Sequence, residues 1–284
     1  MFQRKRIIIY SLSVLALVFL GSGILMLKRP ATDKLLVAFL SVGQGDAVLI
    51  RTADDKDVLI DAGPDRSVLT RLAQVLPWYD RELDMIVLTH NHLDHYAGII
   101  ALLEKYKVGQ VVVSAVSEPL PQELALALAE HKVAYQKIEA GAEVKLDEQV
   151  SLRALWPKSG AVIAEMNDRS LVMELLSGQV KFLLGGDSGI AVEDELMKNN
   201  LVSEVDVFKL SHHGSDTANG QAFLELLSPR WVVAQSGKGN SFGHPNRRIL
   251  KRAERSGAQV LRNDLDGTVV FETDGASVNY YLVK

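Results

Sequence analysis

The chain has 284 residues, of which 48% are hydrophobic and 23% are charged, a balance that is typical of a folded globular protein and excludes extensive disorder. It contains no cysteine, which excludes disulfide bonds and thiolate metal ligands. Residues 30–284 hold 26 Lys and Arg against 35 Asp and Glu. Such an acidic domain is not a general nucleic-acid binder, and a polyanionic substrate would need a local basic patch.

The N-terminal segment predicts a membrane anchor within residues 1–29. Residues 7–27 form an uncharged, mainly apolar run. At about 1.5 Å per helical residue, this run can cross a hydrocarbon core of about 30 Å. Three basic residues precede the run and two follow it, which favours a cytoplasmic tail and an extracytoplasmic domain. Bulky residues continue to its end, so an uncleaved single-pass anchor is favoured over a cleaved signal peptide and a secreted protein.

Residues 30–34 read as a short tether, and residues 35–284 predict one domain of strands and helices. Predicted strands lie at residues 35–42, 46–52, 58–60, 85–89, 110–114, 150–156, 170–176, 180–184, 206–210, 231–234, 259–262, 268–272 and 278–282. Predicted helices lie at residues 67–76, 96–106, 122–131, 222–227 and 246–256. Strands outnumber helices at first and the two then alternate, which indicates a sheet-on-sheet core with helices outside.

The most informative motif, His90-Asn91-His92-Leu93-Asp94-His95, follows the predicted strand at residues 85–89. In an extended loop, side chains two residues apart point the same way, so His90 and His92 can bind one metal ion. Asp94 and His95 then face a second metal position, where a helix is expected to begin. Imidazole and carboxylate ligands suit zinc better than calcium or magnesium. The alternative is a polar loop with solvated histidines.

This run resembles the signature of the metallo-β-lactamase superfamily. The resemblance implies an α/β (α+β) fold, a four-layer αββα sandwich with the metals at one edge between the sheets. Five motifs occur in the order found in the soluble hydrolase-like domain of the ComEC competence proteins and their stand-alone relatives. They are Gly43-Gln44-Gly45-Asp46, the histidine run, Gly185-Gly186-Asp187, His212-His213-Gly214-Ser215 and Gly243-His244-Pro245.

Two features depart from the ComEC pattern. Ser41 stands where that family usually has aspartate. The sequence also has no counterpart of the multi-helix channel, so a role in DNA translocation is not expected.

The resemblance implies roles for the remaining motif residues. Asp187 is expected to bridge two metal ions, the alternative being a turn aspartate in a glycine-rich loop. His213 is favoured over His212 as the ligand that completes the second metal position, which leaves His212 facing the substrate. His244 is a candidate for donating a proton or binding an oxyanion, the alternative being a loop histidine. Asp61, at the end of a strand, is expected to support a ligand from behind.

The first metal position lacks an obvious third histidine. His131 is the only histidine between the motif run and Asp187, and it is expected at the surface at a helix end. In the ComEC-like branch an asparagine precedes a Ser-Leu-Val strand in this region, and Asn167 matches it. Asn167 would then face the metal or the substrate. The first position would bind its metal more loosely, and Mn²⁺ is an alternative to two Zn²⁺ ions.

The motifs together predict a metal-dependent hydrolase, a phosphodiesterase or nuclease-like enzyme that acts outside the cytoplasm on a phosphate-containing substrate. Asp94 is expected to bind the second metal and to orient the nucleophile, with His212 and His244 as further catalytic candidates. The predicted helix at residues 246–256 has a basic face that would steer phosphate toward the metals. This face is formed by Arg247, Arg248, Lys251, Arg252 and Arg255. The alternatives are a solvated basic face, a carboxyl ester, lactone or lactam hydrolase, and a non-catalytic binding module.

Overall fold

The structure, a computed structural model, describes residues 34–284. The predicted anchor at residues 1–29 and nearly all of the tether lie outside the described residues. Within residues 34–284, none of the helices combines the length and the hydropathy that a bilayer span requires.

The described residues form fifteen strands and seven α-helices. The strands are β1 Leu35–Phe39, β2 Val48–Arg51, β3 Asp57–Ile60, β4 Glu82–Leu88, β5 Lys107–Ser114, β6 Tyr135–Ile138, β7 Glu143–Lys145, β8 Val150–Trp156, β9 Val172–Ser177, β10 Val180–Leu184, β11 Val207–Lys209, β12 Trp231–Ala234, β13 Gln259–Arg262, β14 Thr268–Thr273 and β15 Val278–Val283. The helices are α1 Ser67–Val75, α2 Leu93–Leu103, α3 Gln122–Glu130, α4 Ile190–Lys198, α5 Gln221–Leu227, α6 Arg247–Arg255 and α7 Asn263–Asp266. Short 3-10 helices cover Asn167–Arg169 and Ser211–Gly214.

The strands form two sheets. Eight strands lie in the order β15-β14-β1-β2-β3-β4-β5-β6, and seven lie in the order β13-β12-β11-β10-β9-β8-β7. In the first sheet β3, β4 and β5 are parallel, and in the second sheet β10, β11 and β12 are parallel. Because the carboxyl ends of parallel strands meet at one edge of a sheet, the loops after these strands are brought together.

Alternating apolar residues hold the sheets and helices in layers. In β1, Val37 and Phe39 belong to a core that contains strand residues of both sheets. Leu36 and Ala38 point the other way, into a second core that also includes residues of α1, α2 and α3. A third core joins the outer face of the second sheet to α4, α5 and α6. The described residues therefore show the predicted two sheets with helices on their outer faces.

The predicted elements are all present, with ends shifted by a few residues, and four further elements are added. Strands β6 and β7 lie at sheet edges and expose most of their side chains, so they lack the apolar alternation that predicts a strand. Helix α4 follows directly on the Gly-Asp motif and was not predicted, nor was the short helix α7. Helix α2 begins at Leu93, so Asp94 and His95 lie in its first turn.

An acidic cluster surrounds Arg51 at the amino end of β3. The Arg51 guanidinium lies 2.8 Å from the carboxylates of both Asp57 and Asp80. The carboxylate of Asp84 accepts a hydrogen bond from the Asp57 backbone N–H at 2.8 Å. Burial raises the pKa of Asp57 to about 8, because Arg51 only partly offsets burial and Asp80 and Asp84 add to the effect.

We expect Asp57 to make stability depend on pH. The pKa of Asp57 is higher in the folded state than the unfolded value of 3.8. The contribution of Asp57 to the free energy of unfolding is therefore complete below about pH 4 and is lost as the pH rises to about 8. The loss is at most about 1.4 kcal/mol per pH unit. We therefore measure the free energy of unfolding in urea at about pH 6 and at about pH 9. It should decrease less between these two pH values for Asp57→Asn than for the parent. The exposed Asp54→Asn is the matched control. Equal decreases in all three proteins would contradict this prediction.

Candidate metal centre

The histidine run lies where β4 ends and α2 begins. His90 is fully buried and His92 is partly buried, and their ring centroids are 4.6 Å apart. His92 has an extended backbone, after which α2 begins, so the chain turns and directs Asp94 and His95 to a different position. The sequence therefore forms two adjacent pairs of ligand side chains within one loop and one helical turn.

Four groups of side chains within residues 34–284 could each hold a metal ion, with all ligand atoms of a group within 4.8 Å of one another, and two of these groups consist only of residues that were predicted as ligands. The first group is His90, His92 and Asp187, and the second group is Asp94, His95 and His213. We call these groups the first and the second metal group. All six residues were predicted as metal ligands, and they come from the loop after β4, the first turn of α2, the loop after β10 and the turn after β11.

Asp187 lies between the two groups. Its Oδ2 atom is 3.3 Å from Nε2 of His95 and 3.4 Å from Nε2 of His213. The same oxygen is 3.9 Å from Nε2 of His90, which belongs to the first group. Asp94 reaches the second group from the other side, with Oδ2 at 3.2 Å from Nε2 of His213. The Asp187 carboxylate would therefore be within reach of a metal ion held by either group.

The imidazole nitrogens that face Asp187 have no other use. Nε2 of His90, His95 and His213 is buried in each case and makes no hydrogen bond. An unsatisfied buried polar atom costs about 1–3 kcal/mol, so three of them at one place need a ligand that accepts their lone pairs. The donor set therefore fits a divalent metal, to which neutral imidazole and carboxylate are common ligands.

Thr89 and Asp61 hold the Nδ1 atoms of His90 and His95, the ring nitrogens that face away from Asp187. The Asp61 carboxylate accepts hydrogen bonds from the Thr89 N–H and the Thr89 hydroxyl, both at 2.8 Å. It also lies 2.7 Å from Nδ1 of His95, which must therefore carry the proton. Because the Thr89 hydroxyl proton is engaged, its oxygen accepts from Nδ1 of His90 at 3.1 Å. Both rings consequently present a Nε2 lone pair to the metal groups.

The close approach of α2 to the loop after β3 makes this support possible. The Ala62 N–H donates to the His95 carbonyl at 2.8 Å, and the Gly98 N–H donates to the Gly63 carbonyl at 3.0 Å. A Cβ at position 98 would lie 1.9 Å from the Ala62 carbonyl oxygen, so only glycine permits this packing.

His213 is supported by two residues that the sequence analysis did not assign. Its Nδ1 lies 3.1 Å from Oδ1 of Asp46 and 3.1 Å from the Gln235 carbonyl. The other Asp46 oxygen contacts the Lys209 ammonium, which also donates to the Gly186 and Leu210 carbonyls. The sequence signal for the role of Lys209 is that it is the only charged residue of the short apolar strand β11. Asp46 was visible only as part of its glycine motif.

Strained backbone separates the two adjacent histidines. His212 and His213 have φ of 49° and 54°, in the left-handed region that non-glycine residues rarely adopt. The His212 N–H donates to the Gly186 carbonyl at 3.0 Å, which holds this conformation. His213 consequently points into the second metal group, whereas Nδ1 of His212 lies 3.1 Å from the Thr217 hydroxyl. His212 thus lies beside the groups and belongs to neither of them.

His244 lies next to the second metal group without belonging to it. Its ring centroid is 6.3 Å from that of His213 and 5.5 Å from that of His212. Nδ1 of His244 is buried and has no hydrogen-bond partner. The contact of His244 with a substrate stays a prediction.

The turn that contains Asn167 supports the Asp187 loop. Asp168 accepts a hydrogen bond from the Gly189 N–H at 2.8 Å, and the Ser170 hydroxyl accepts one from the Asp187 N–H at 3.0 Å. Oδ1 of Asn167 is buried without a hydrogen-bond partner. The turn therefore provides an oxygen that makes no hydrogen bond. His131 is exposed at the end of α3 and belongs to neither metal group.

Buried charges set the protonation of the cluster. Burial lowers the pKa of His90 well below its ordinary value, and His95 adds to this effect, so the His90 ring stays neutral. Burial also opposes a charge on His213, but Asp187 and Asp46 outweigh it and raise the pKa of His213 to about 10. Burial would raise the pKa of Asp187, yet His213 and His95 hold it well below its usual range. The cluster therefore stabilises positive charge beside Asp187, as a divalent cation requires.

The basic face of α6 begins at the edge of this cluster. Arg247, Arg248, Lys251 and Arg255 are exposed, and none of them forms an ion pair with a carboxylate of residues 34–284. Ile249 and Ala253 are buried on the opposite side. Arg252 departs from the predicted face, because it is partly buried and donates to the Asn219 carbonyl at 3.3 Å. The Asn246 N–H donates to the Gly214 carbonyl at 2.9 Å, so α6 starts against the His213 loop.

A family comparison agrees with this geometry. The model of the metallo-β-lactamase superfamily matches residues 40–233, a range that contains all six residues of the two metal groups. The chain belongs to the metallo-β-lactamase superfamily. It is accordingly a metallo-hydrolase with the His and Asp clusters that bind divalent metal in this fold.

The chain is also similar to curated proteins of bacterial competence. It is 28% identical over 259 residues to ComE operon protein 3 of Bacillus subtilis, covering 83% of this chain and 32% of that protein. It is 31% identical over 240 residues to competence protein ComA of Neisseria gonorrhoeae, again covering 83% of this chain and 32% of that protein. The chain thus spans about a third of the length of these relatives, and the likeness agrees with the ComEC-like motif order.

Among solved structures, the chain is similar to the metallo-β-lactamase fold protein YhfI from Bacillus subtilis. The TM-score is 0.59 at 12% identity, and the match covers 85% of this chain and 100% of YhfI. At that identity the likeness shows the shared fold alone.

Proposed function

We propose that this protein is a zinc-dependent phosphodiesterase that cleaves an anionic, nucleic-acid-like substrate. The observation that carries this proposal is the unpaired basic face of α6, which begins against the His213 loop in an otherwise acidic domain. Cationic side chains beside a metal centre raise the local concentration of phosphate-bearing substrates. A neutral ester or lactone gains nothing from such a surface.

The ligand types favour two zinc ions. The two metal groups together offer four imidazoles and two carboxylates and no thiolate. Imidazole-rich sites suit zinc, whereas magnesium and calcium prefer oxygen ligands. The free oxygen of Asn167 and the carboxylates would also suit Mn²⁺, which stays the alternative. Divalent metal bound here would supply Lewis acidity and a water of lowered pKa.

The side chains of this chain then have distinct roles. The Asp94 carboxylate, with 32% of its side chain exposed, lies 3.2 Å from His213 and can orient an attacking water by accepting its hydrogen bond. His244 and His212, at the edge of the second group, can bind the phosphoryl oxygens or donate a proton to the leaving oxygen. Asp61 and Asp46 hold the ring orientations of His95 and His213.

A panel of three substrates tests the proposed reaction. The zinc-loaded protein is assayed against bis(p-nitrophenyl) phosphate, the lactam nitrocefin and a simple lactone, with Mn²⁺-loaded protein in parallel. We expect the phosphodiester to be hydrolysed with the highest kcat/KM. Preferential hydrolysis of nitrocefin or the lactone would assign the site to carboxyl derivatives, and no turnover of any of them would favour a binding module.

We also propose that the catalytic domain acts outside the cytoplasm, anchored in the cell membrane by residues 1–29. The support is the apolar run at residues 7–27 and the basic residues on its N-terminal side. A periplasmic-type reporter enzyme fused after Lys284 should be active, and a reporter that folds only in the cytoplasm should not. Reversing Arg4, Lys5 and Arg6 to Glu should reduce this asymmetry. Activity of the cytoplasmic reporter in the parent fusion would contradict the orientation.

A further inference from the structure

An exposed phenylalanine continues the row of rings beside the second metal group. Phe242 is 68% exposed, and its ring stacks on that of His244 with a centroid separation of 5.9 Å and an interplanar angle of 25°. The His244 ring in turn contacts the rings of His212 and His213. One face of Phe242 is therefore one aromatic ring removed from the metal-ligand cluster.

The loop that carries Phe242 is held in place by its own hydrogen bonds. Oδ1 of Asn240 accepts from the backbone N–H groups of Phe242 and His244, both at 3.1 Å. Nδ2 of Asn240 donates to the Gly237 carbonyl at 2.9 Å, and the Gly237 N–H donates to the Gln44 side chain at 3.2 Å. The backbone that carries the Phe242 ring is thus held within the loop, which lowers the entropy cost of binding against the ring.

Cationic side chains lie on both sides of Phe242 along the chain. Lys238 is exposed four residues before it, and Arg247 and Arg248 are exposed after the Gly-His-Pro turn. An aromatic ring among exposed cations is the arrangement by which proteins bind single-stranded nucleic acid, since the ring stacks a base while the cations contact phosphates. Bases in a duplex are stacked on both faces and cannot use such a ring.

We infer that Phe242, stacked on His244, is a nucleobase-binding platform and that the substrate is single-stranded nucleic acid, with an unstacked base next to the scissile phosphate. This inference rests on the proposed phosphodiesterase function and makes its substrate class specific. Base stacking tolerates any base, so the platform selects unpaired strands without selecting a sequence.

Two single-stranded substrates, one with bases and one without, test the platform. The zinc-loaded parent and Phe242→Ala are assayed on an oligothymidylate and on an abasic oligomer of the same length, which has the same phosphates and no bases. We expect the ratio of kcat/KM for oligothymidylate to that for the abasic oligomer to fall about 5- to 100-fold in Phe242→Ala. Phe242→Trp should keep the parent ratio. Trp78→Ala is the matched control, because Trp78 is 67% exposed and precedes β4, at the end of that strand opposite the histidine run.

A binding measurement separates this inference from the proposed reaction. Metal-loaded parent should quench the fluorescence of a 2-aminopurine base in a single-stranded oligonucleotide, and Phe242→Ala should not. Hydrolysis of both oligomers by the parent with an unchanged ratio in Phe242→Ala would overturn the platform and leave the phosphodiesterase intact. Quenching without any hydrolysis would support the platform while the proposed reaction fails. Phe242-dependent binding to phospholipid vesicles, with nucleic-acid parameters unchanged, would assign the ring to a membrane and overturn the inference.

Discussion

Replacing Asp187 with asparagine is expected to lower kcat/KM for a phosphodiester on the order of 10³-fold and to reduce the bound metal to at most one ion per chain. One oxygen of Asp187 lies within 3.9 Å of imidazoles from both metal groups. An amide has nearly the same size but no negative charge, so it is a poor bridging ligand. The substitution should leave the hydrogen bond from the backbone N–H of residue 187 to the Ser170 hydroxyl intact, so the loop should keep its position.

The measurement combines elemental analysis of purified protein with steady-state hydrolysis of bis(p-nitrophenyl) phosphate. Asp194→Asn is the matched control, since this exposed aspartate of α4 follows Asp187 closely in sequence and belongs to neither metal group. The parent and Asp194→Asn should bind up to two ions per chain and lose activity when a chelator removes them. Parent-like metal content and activity in Asp187→Asn would show that this carboxylate is only a turn residue.

Reversing the charge of Arg247, Arg248 and Lys251 to Glu is expected to lower kcat/KM for single-stranded DNA about 10- to 100-fold at low salt. These side chains are exposed and form no ion pair with a carboxylate of the described chain, so their charge is available to a substrate. The effect should shrink as salt rises, because screening shortens the range of the field. The slope of log kcat/KM against log salt should become shallower by about two to three.

The control for this variant carries the same change in net charge elsewhere. Lys56, Lys105 and Lys145 are exposed and lie outside the loops that carry the metal groups, so their reversal to Glu should change kcat/KM for DNA only slightly. Bis(p-nitrophenyl) phosphate, which carries one charge, should lose much less than DNA in the α6 variant. Equal salt profiles of the α6 variant and the parent would show that this face is merely solvated and would remove the main support for the phosphodiester assignment.

Local sequence patterns were sufficient to predict most of the fold and the ligand types. Short continuous apolar runs identified β1 and β12, because a strand that is buried on both faces is apolar at every position. The pairing of His90 with His92 followed from the two-residue period of an extended chain, and the placement of Asp187 after β10 followed from the end of an apolar run. Edge strands β6 and β7 were missed because their side chains are mainly exposed and carry no such pattern.

Only the tertiary structure decided how these residues meet. Asp46 supports His213 although the two residues are 167 positions apart in the sequence. The ammonium group of Lys209 can be buried in the apolar strand β11 because it contacts the Asp46 carboxylate. The choice of His213 over His212 depends on two left-handed backbone conformations that the surrounding loops impose. The sequence by itself determined which side chains are available and which strands carry them. Their distances are set by the packing of two sheets, a sum of long-range contacts that no local period encodes.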